Sequence, residues 1–154
     1  MIVSVQIRKA ALGDAAIVEG FNAQLAFETE GVALTRPQLH EGVEAVLADP
    51  TRGIYWLAEV NRQVVGQLLI TREWSDWRNG WMIWLQSVYV ASEKRGAGVF
   101  RLLFERSVEL ARLRCDAVCI RLYVEHENEA ATATYRRLGF RDSGYLVMEM
   151  PLES

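Results

Sequence analysis

The spacing of apolar residues changes along the first half of the chain, and each change predicts a change of secondary structure. Alternating apolar residues over Val3–Lys9 predict a strand. Apolar residues then recur at helical spacing after Asp14, which is suited to cap a helix. A second helix is predicted from about Pro37 to Leu47, because proline fits a first helical turn. The period then returns to two, which predicts three further strands at Ile54–Val60, Val64–Arg72 and Trp81–Val90.

The second half of the chain alternates helical and strand patterns. The spacing predicts a helix from Val99 to about Arg114, a strand over Ala117–Val124 and a helix over Asn128–Leu138. Phe140–Met150 is expected to supply the last strand or pair of strands. The order β-α-α-β-β-β-α-β-α-β predicts an α+β fold, with a mixed, mostly antiparallel central sheet flanked by helices. The late strand-helix-strand unit predicts a parallel crossover.

Composition and charge narrow the class of protein. A chain of 154 residues, 51% of them hydrophobic, is expected to form a single domain over residues 1–154. The net charge of −3 argues against a nucleic-acid partner, because non-specific nucleic-acid binders rely on basic contacts to phosphate. No apolar run reaches the ~18 residues of a membrane span, and the N-terminus lacks a signal-peptide layout. We therefore expect a cytoplasmic protein without a membrane partner. No metal is expected, because the spacing of the cysteines and histidines suits no zinc site: Cys115, Cys119, His40 and His126.

The turn Arg95-Gly96-Ala97-Gly98 connects a predicted strand directly to a predicted helix. Such a junction leaves backbone N–H groups pointing one way at the positive end of a helix dipole, which suits a diphosphate. Glycines let the backbone approach the ligand, and basic side chains add charge. A nucleotide-hydrolase loop ends in Gly-Lys-Ser/Thr, whereas Gly98 is followed by Val99 and Phe100. A dinucleotide-binding fingerprint needs a third small residue, and Arg101 stands in that place. A tight turn without a ligand is the alternative interpretation.

A second motif runs from Asn128 through Tyr135 to Leu138-Gly139-Phe140. Asn128 and Tyr135 are seven positions apart, which places them two helical turns and roughly 10 Å apart on one face. Both side chains can therefore line one groove. The alternative is that Asn128 only caps the helix and Tyr135 is an ordinary half-buried aromatic residue.

Together, the two motifs resemble the GNAT family of N-acetyltransferases, which use acetyl-CoA as a co-substrate. The resemblance covers nearly the whole chain and is strongest between Trp84 and Phe140. It implies a GNAT-like acyl-CoA N-acyltransferase fold. It also implies transfer of an acetyl group from acetyl-CoA to a primary amine of a small molecule or peptide, by direct attack on the thioester. The cofactor-binding residues that it implies are Val88, Tyr89, Val90, Arg95, Gly96, Ala97, Gly98, Val99, Phe100, Asn128, Ala131 and Tyr135.

The family pattern Arg/Gln-x-x-Gly-x-Gly/Ala fits the turn in two registers. When the pattern starts at Arg95, Gly98 is its central glycine and Phe100 departs from the expected small residue. When it starts at Glu93, both glycines match but the first position does not. The first register is preferred, because Arg95-Gly96 then falls where family members usually carry Arg-Gly.

The resemblance also implies catalytic roles. The backbone of Val88 and Val90 would hold the pantetheine arm, and Asn128 would hydrogen-bond to that arm. A backbone N–H near Val88 would polarise the thioester carbonyl and stabilise the oxyanion. Tyr135 is the implied catalytic residue that protonates the leaving thiolate. A phenol with a pKa near ~10 is a sluggish acid, so the role of Tyr135 could be positional as much as chemical.

The group that deprotonates the amine is not identified by the sequence. Some family members carry a glutamate on the strand before the turn, whereas Trp81–Leu85 contains no carboxylate. Glu28 and Glu30, in the predicted loop after the first helix, are the expected substrate-binding carboxylates, because the family often forms its acceptor wall there. Glu73 and Asp76 are the next candidates for this role. Each of these acids could instead be a solvated surface charge.

The tryptophans concentrated around one hairpin predict an aromatic acceptor pocket that could hold a cation. Alternation puts Trp81 and Trp84 on opposite faces of their strand, and Trp84 is the expected acceptor contact. Two other functions stay open. One is an acyl-CoA-binding regulatory module without turnover, and the other is a structural interaction domain built on the tryptophans. A homodimer is expected from the family resemblance alone.

Overall fold

The computed structural model describes residues 4–153, and within them five strands and four α-helices are present. Two short 3-10 turns, Leu12–Asp14 and Ser92–Lys94, precede the first and third helices. The chain divides into two compact units after Tyr123. The elements are β1 (Val5–Lys9), α1 (Ala15–Glu30), α2 (Arg36–Ala48), β2 (Ile54–Val60), β3 (Gln63–Ser75), β4 (Gly80–Val90), α3 (Val99–Leu113), β5 (Ala117–Leu122) and α4 (Glu129–Arg137).

The first unit contains a five-stranded sheet in the order β1-β2-β3-β4-β5. The first three pairs of neighbouring strands are antiparallel, and β4 pairs with β5 in parallel. The parallel pair is connected through α3, as the predicted crossover requires. The mixed α/β fold class predicted from the sequence is confirmed. Val3, the first residue of the predicted opening strand, lies outside the described residues.

The predicted final strand over Phe140–Met150 is wrong as an assignment of secondary structure. The structure has no strand pairing in the described part of the chain after β5. Apolar side chains in this segment are 70–92% exposed, namely Tyr145, Leu146, Val147 and Met148. Apolar alternation favours an extended backbone, but a strand also requires a neighbour that accepts and donates hydrogen bonds, which the pattern of one segment does not specify.

The β2–β3 connection is a tight hairpin. Val60 pairs with Gln63 across the turn, and the two residues between them, Asn61 and Arg62, have φ of 50° and 64°. Positive φ at both central positions matches the twist of the adjoining strands. The hairpin therefore fixes the register that brings β3 beside β2.

The helices α1 and α2 cover one face of the sheet. Their contact with the sheet is a buried cluster formed by Val18, Val43, Tyr55, Leu57 and Leu69. The helix α3 packs on the opposite face, where Gly66 leaves room for Val99 and Leu103. None of the helices in residues 4–153 combines the length and the apolar character that crossing a bilayer requires.

His40 on α2 connects the two helices on the first face. Its Nδ1 atom lies 2.5 Å from Glu19 Oε1 on α1, and its Nε2 atom lies 3.2 Å from Glu44 Oε1. The hydrogen bond to Glu19 raises the pKa of His40 above its usual 6.5. Because the pKa of His40 is higher in the folded protein than in the unfolded chain, protonated His40 stabilises the fold. This stabilisation is fully present below about pH 6.5 and is lost as pH rises through the folded-state pKa.

We expect the melting temperature to fall between pH 6 and pH 8, and to fall less in His40→Gln. Thermal unfolding of both proteins at the two pH values measures this difference. An equal fall in both would show that His40 does not contribute to the pH dependence.

Candidate functional site

The turn between β4 and α3 is built as the sequence predicts. Gly96 and Gly98 have φ of +80° and +82°, a conformation that favours glycine. An added Cβ at either position would meet no atom within 4 Å, so the turn is open to a ligand. Gly98 is the N-cap of α3, and its carbonyl accepts the N–H of Leu102 at 3.1 Å. The first N–H groups of α3 therefore have no partner within the helix.

Immediately before this turn, β4 contains a bulge. Gln67 pairs with Tyr89 and Leu69 pairs with Gln86, so two residues of β4 lie opposite Leu68. One of them, Ser87, has a φ of 49° in the middle of a strand. Such a bulge re-aims the backbone groups of the strand at that point.

The pairing between β4 and β5 ends next to the bulge. Their parallel pairing runs from Trp81 opposite Ala117 to Leu85 opposite Leu122. Within residues 4–153, the part of β4 from residue 86 to residue 90 has no pairing with β5. The backbone of Val88 and Val90 therefore lies on a strand segment whose β5-facing edge is not used by the sheet.

Arg95 is held by the protein itself. Its Nε donates to the carbonyl of Val90 at 2.9 Å, and its Nη2 donates to Glu28 Oε2 at 2.6 Å. The guanidinium lies 5.3 Å from the centre of the Tyr89 ring. Arg95 thus connects the end of β4 to α1, in addition to placing positive charge at the turn.

Glu28 uses both carboxylate oxygens in this cluster. Oε1 accepts the hydroxyl of Tyr89 at 3.1 Å, and Oε2 accepts Arg95. The Tyr89 hydroxyl also lies 2.9 Å from Gln24 Oε1. Burial and the bond to Glu28 raise the pKa of Tyr89, so this phenol stays protonated at neutral pH. Glu30 is exposed at the end of α1, so the predicted loop position of Glu28 and Glu30 is wrong: both lie within the helix, which continues to its cap at Gly31.

The residues predicted around Tyr89 have unequal access. The Tyr89 side chain is buried against Phe21 of α1, so the cofactor contact predicted there can involve only its backbone. Val99 is buried under the sheet, and Phe100 packs against Phe104 with ring centres 6.2 Å apart. Ala97 is exposed in the turn.

Trp84 forms a separate aromatic surface. Its ring stacks on Tyr123 at 4.6 Å, and its Nε1 donates to Glu73 Oε1 at 3.0 Å. Trp74 and Trp81 form a different pair at 5.0 Å, so the separation of Trp81 from Trp84 is confirmed. Tyr123 was not predicted as part of this surface, because nothing in its own segment indicates that its ring stacks on a residue of a neighbouring strand.

The second unit contains α4 and the motif around it. Asn128 is the N-cap of α4, and its Oδ1 accepts the N–H of Ala131 at 3.2 Å. Tyr135 lies on the same helix, with its ring 5.8 Å from the Phe140 ring. Burial raises the pKa of Tyr135 above its usual 10. The helix ends as predicted before Gly139, which has a φ of +100°.

Comparison with known proteins matches residues 22–140 to the model of the acetyltransferase (GNAT) family. A possible acetyltransferase from Clostridium difficile 630 is 41% identical, with 97% of this chain and 99% of that chain covered and a TM-score of 0.91. A predicted acetyltransferase from Clostridium acetobutylicum, solved with acetyl-CoA, is 21% identical over 95% and 96% of the two chains, with a TM-score of 0.77. An aminoglycoside acetyltransferase from an uncultured soil sample is 20% identical over 97% and 99%, with a TM-score of 0.74. The two more distant structures share the fold.

Proposed function

Because this chain belongs to the GNAT acetyltransferase family, we propose that it transfers an acetyl group from acetyl-CoA to a primary amine of a small molecule or peptide. The observation that carries the proposal is the continuous path along β4. The strand bulges at Ser87, has no pairing with β5 after Leu85, and leads through the open glycine turn into α3. This path supplies unpaired backbone groups first and a helix N-terminus next, in the order in which a pantetheine arm and a diphosphate would need them.

The cofactor is proposed to bind chiefly to backbone. Val88 and Val90 would hydrogen-bond to the pantetheine arm, and Asn128 would add a side-chain contact to it. The diphosphate would lie against the N–H groups of the turn and of the first turn of α3. The open space at Gly96 and Gly98 supports this fit, since a side chain at either position would occupy it. Ala97, Val99, Phe100 and Ala131 complete the proposed cofactor-binding set, together with the backbone of Tyr89 and with Arg95.

The proposed reaction is a direct transfer. The amine nitrogen attacks the thioester carbon, a C–N bond forms, and the C–S bond breaks. The N–H of Val88 would stabilise the oxyanion, because a fixed donor aimed at developing charge lowers the barrier. Tyr135 would give its proton to the leaving CoA thiolate, and a base takes the proton that the amine loses. No metal takes part in this scheme.

The acceptor is proposed to contact Trp84. The stacked surface of Trp84 and Tyr123, with Glu73 bound to the indole, offers aromatic faces and a carboxylate, which together favour a cationic amine. Glu28 and Glu30 remain the proposed acceptor carboxylates on α1.

An acyl-CoA-binding regulatory module without turnover is the second candidate. One observation favours it: both oxygens of Glu28 are already engaged by Tyr89 and Arg95, so neither is free to contact an acceptor amine in this structure. The absence of a carboxylate from Trp81–Leu85 points the same way.

Incubating the purified protein with acetyl-CoA and pooled amines separates the two functions. The pools would contain polyamines, amino acids, aminoglycosides and peptide N-termini, and release of CoA thiol would be followed. Amine-dependent release is the expected result, and splitting the active pool identifies the acceptor class. Saturable acetyl-CoA binding with no release from any pool would support the regulatory module.

Glu28→Gln tests the acceptor carboxylate. We expect kcat/KM for the amine to fall by about tenfold, which is the effect of losing one charge-assisted hydrogen bond. Glu30→Gln is measured alongside it, and the variant with the larger loss identifies the carboxylate. If only the Kd for acetyl-CoA changes in Glu28→Gln, this residue acts through Arg95 on the cofactor turn. Normal values in both variants would remove α1 from the acceptor site.

We further propose that residues 1–154 act as a single N-acetyltransferase domain in the cytoplasm, and that two copies form a homodimer. The net charge of −3 supports a protein that uses no nucleic-acid partner, and no membrane partner is proposed. Sedimentation velocity at micromolar concentration tests the homodimer, and a single species of monomer mass would contradict it.

A further inference from the structure

A chain of hydrogen-bonded polar side chains leads from the buried Tyr55 on β2, through the half-buried Asn22, to the bulge in β4. Tyr55 Oη accepts Asn22 Nδ2 at 3.1 Å, and Asn22 Oδ1 accepts Gln67 Nε2 at 2.7 Å. Gln67 Nε2 also donates to the carbonyl of Ser87 at 3.1 Å. Gln67 is fully buried, with 0% of its surface exposed. The amide of Gln67 therefore connects this chain of residues to the bulge by a hydrogen bond.

Burying Gln67 in this way is unfavourable for the free energy of folding. Its Oε1 is buried and has no hydrogen-bond partner among the described residues. An unsatisfied buried acceptor destabilises the folded protein, because the group has lost its hydrogen bonds to water. Leu57, its register partner on β2, and Leu69, two positions along β3 on the same face, are apolar, and the Nε2 of Gln67 bonds to Asn22 on α1. The amide has one further effect: it fixes the carbonyl of Ser87.

Fixing this carbonyl also fixes the next N–H group. In a planar trans peptide, the carbonyl and the following N–H point in opposite directions. Because Gln67 holds the Ser87 carbonyl on its own side of the sheet, the N–H of Val88 is held pointing away from that side. We propose that Gln67 is a positioning residue that aims the Val88 N–H at the thioester carbonyl, an inference that rests on the proposed acetyl-CoA reaction.

The conformation of Ser87 explains why its carbonyl needs a hydrogen bond from a side chain. A non-glycine residue with positive φ is strained relative to ordinary backbone, because its Cβ approaches the carbonyl oxygen too closely. In addition, the sheet pairing between β4 and β5 ends at Leu85, so no β5 ladder bond restrains this peptide within residues 4–153. A donor contributes to catalysis only when it is already oriented before the charge develops. Gln67 supplies that orientation from behind the strand.

The test compares two ligands that differ only at the carbonyl. S-ethyl-coenzyme A has a methylene where acetyl-CoA has its thioester carbonyl, so it cannot accept the Val88 N–H. Titration calorimetry of the wild type is expected to show about tenfold tighter binding of acetyl-CoA, from one well-placed hydrogen bond. Gln67→Met should reduce this ratio to about one, with the affinity for S-ethyl-coenzyme A unchanged.

Two more variants keep the test decisive. Gln67→Asn keeps an amide but is one methylene too short to hold the carbonyl, so it should also lose the preference and replaces the Met variant if that does not fold. Tyr55→Phe removes a hydrogen bond at the far end of the same chain of residues and should keep the wild-type ratio. Circular dichroism confirms that each variant is folded.

The outcomes separate the inference from the function on which it rests. A folded Gln67 variant that keeps the wild-type ratio overturns the inference, even if the wild type transfers acetyl groups to amines. Equal binding of both ligands by the wild type also overturns it, because the Val88 N–H then makes no bond to the carbonyl. A wild type that binds neither ligand overturns the proposed function and the inference together.

Discussion

Replacing Tyr135 by Phe should lower the rate of acetyl transfer by about 100-fold, because the loss of a positioned general acid typically costs that much or more. The affinity for acetyl-CoA should not change, since the ring remains and only the hydroxyl is lost. Steady-state kcat, together with the Kd for acetyl-CoA from calorimetry, measures the two effects separately. An unchanged rate would remove Tyr135 from the mechanism.

The pH dependence gives a second test of the same role. Burial raises the pKa of Tyr135 above 10, so the phenol stays protonated at neutral and mildly alkaline pH. Activity that depends on the protonated phenol should fall only as pH rises past that raised value. Tyr145→Phe is the matched control, because Tyr145 is an exposed tyrosine of the same unit, and this variant should keep the wild-type rate.

Gly80→Ala should destabilise the protein by about 2–3 kcal/mol, the usual cost of forcing extra atoms into a packed region. A Cβ at Gly80 would lie 2.5 Å from Val118 Cγ1 and 2.6 Å from the carbonyl oxygen of Asp116. That oxygen cannot move freely, because it accepts the N–H of Trp81 at 2.7 Å. Urea unfolding would measure the loss as a lower transition midpoint.

Gly42→Ala is the control for this substitution. Gly42 lies in the interior of α2, and an added Cβ would meet nothing within 4 Å. Alanine is favoured over glycine in a helix by about 1 kcal/mol, so this variant should be more stable than the wild type. Equal effects of the two substitutions would show that the close approach of β4 and β5 at Gly80 has no energetic weight.

The cluster around Arg95 affects both proposed sites. Arg95 was expected to add charge to a phosphate contact, and the structure also pairs it with Glu28, an expected acceptor carboxylate. The pair is about half exposed, so it contributes little to stability. Its consequence is geometric: a change at Glu28 can move Arg95, and for this reason the Glu28→Gln experiment measures cofactor binding and amine kinetics separately.

The sequence by itself determined the features that depend on neighbouring residues. The periods of apolar residues located the four α-helices and the five strands found within residues 4–153, because burial of one face imposes those periods. The glycine turn at residues 96–98 and the helix cap at Asn128 could also be predicted, because a left-handed backbone and a helix N-terminus each favour particular residue types. The family resemblance followed from the same local motifs.

Only the tertiary structure decided which distant residues meet. The bulge at Ser87, the amide of Gln67 behind it and the stack of Trp84 on Tyr123 depend on strand register, which pairs residues far apart in the chain. The expected strand over Phe140–Met150 failed for the same reason, because its alternation specified a conformation but no partner. Local sequence determines what a segment can form, whereas the free energy of its contacts, which the whole fold sets, decides what it does form.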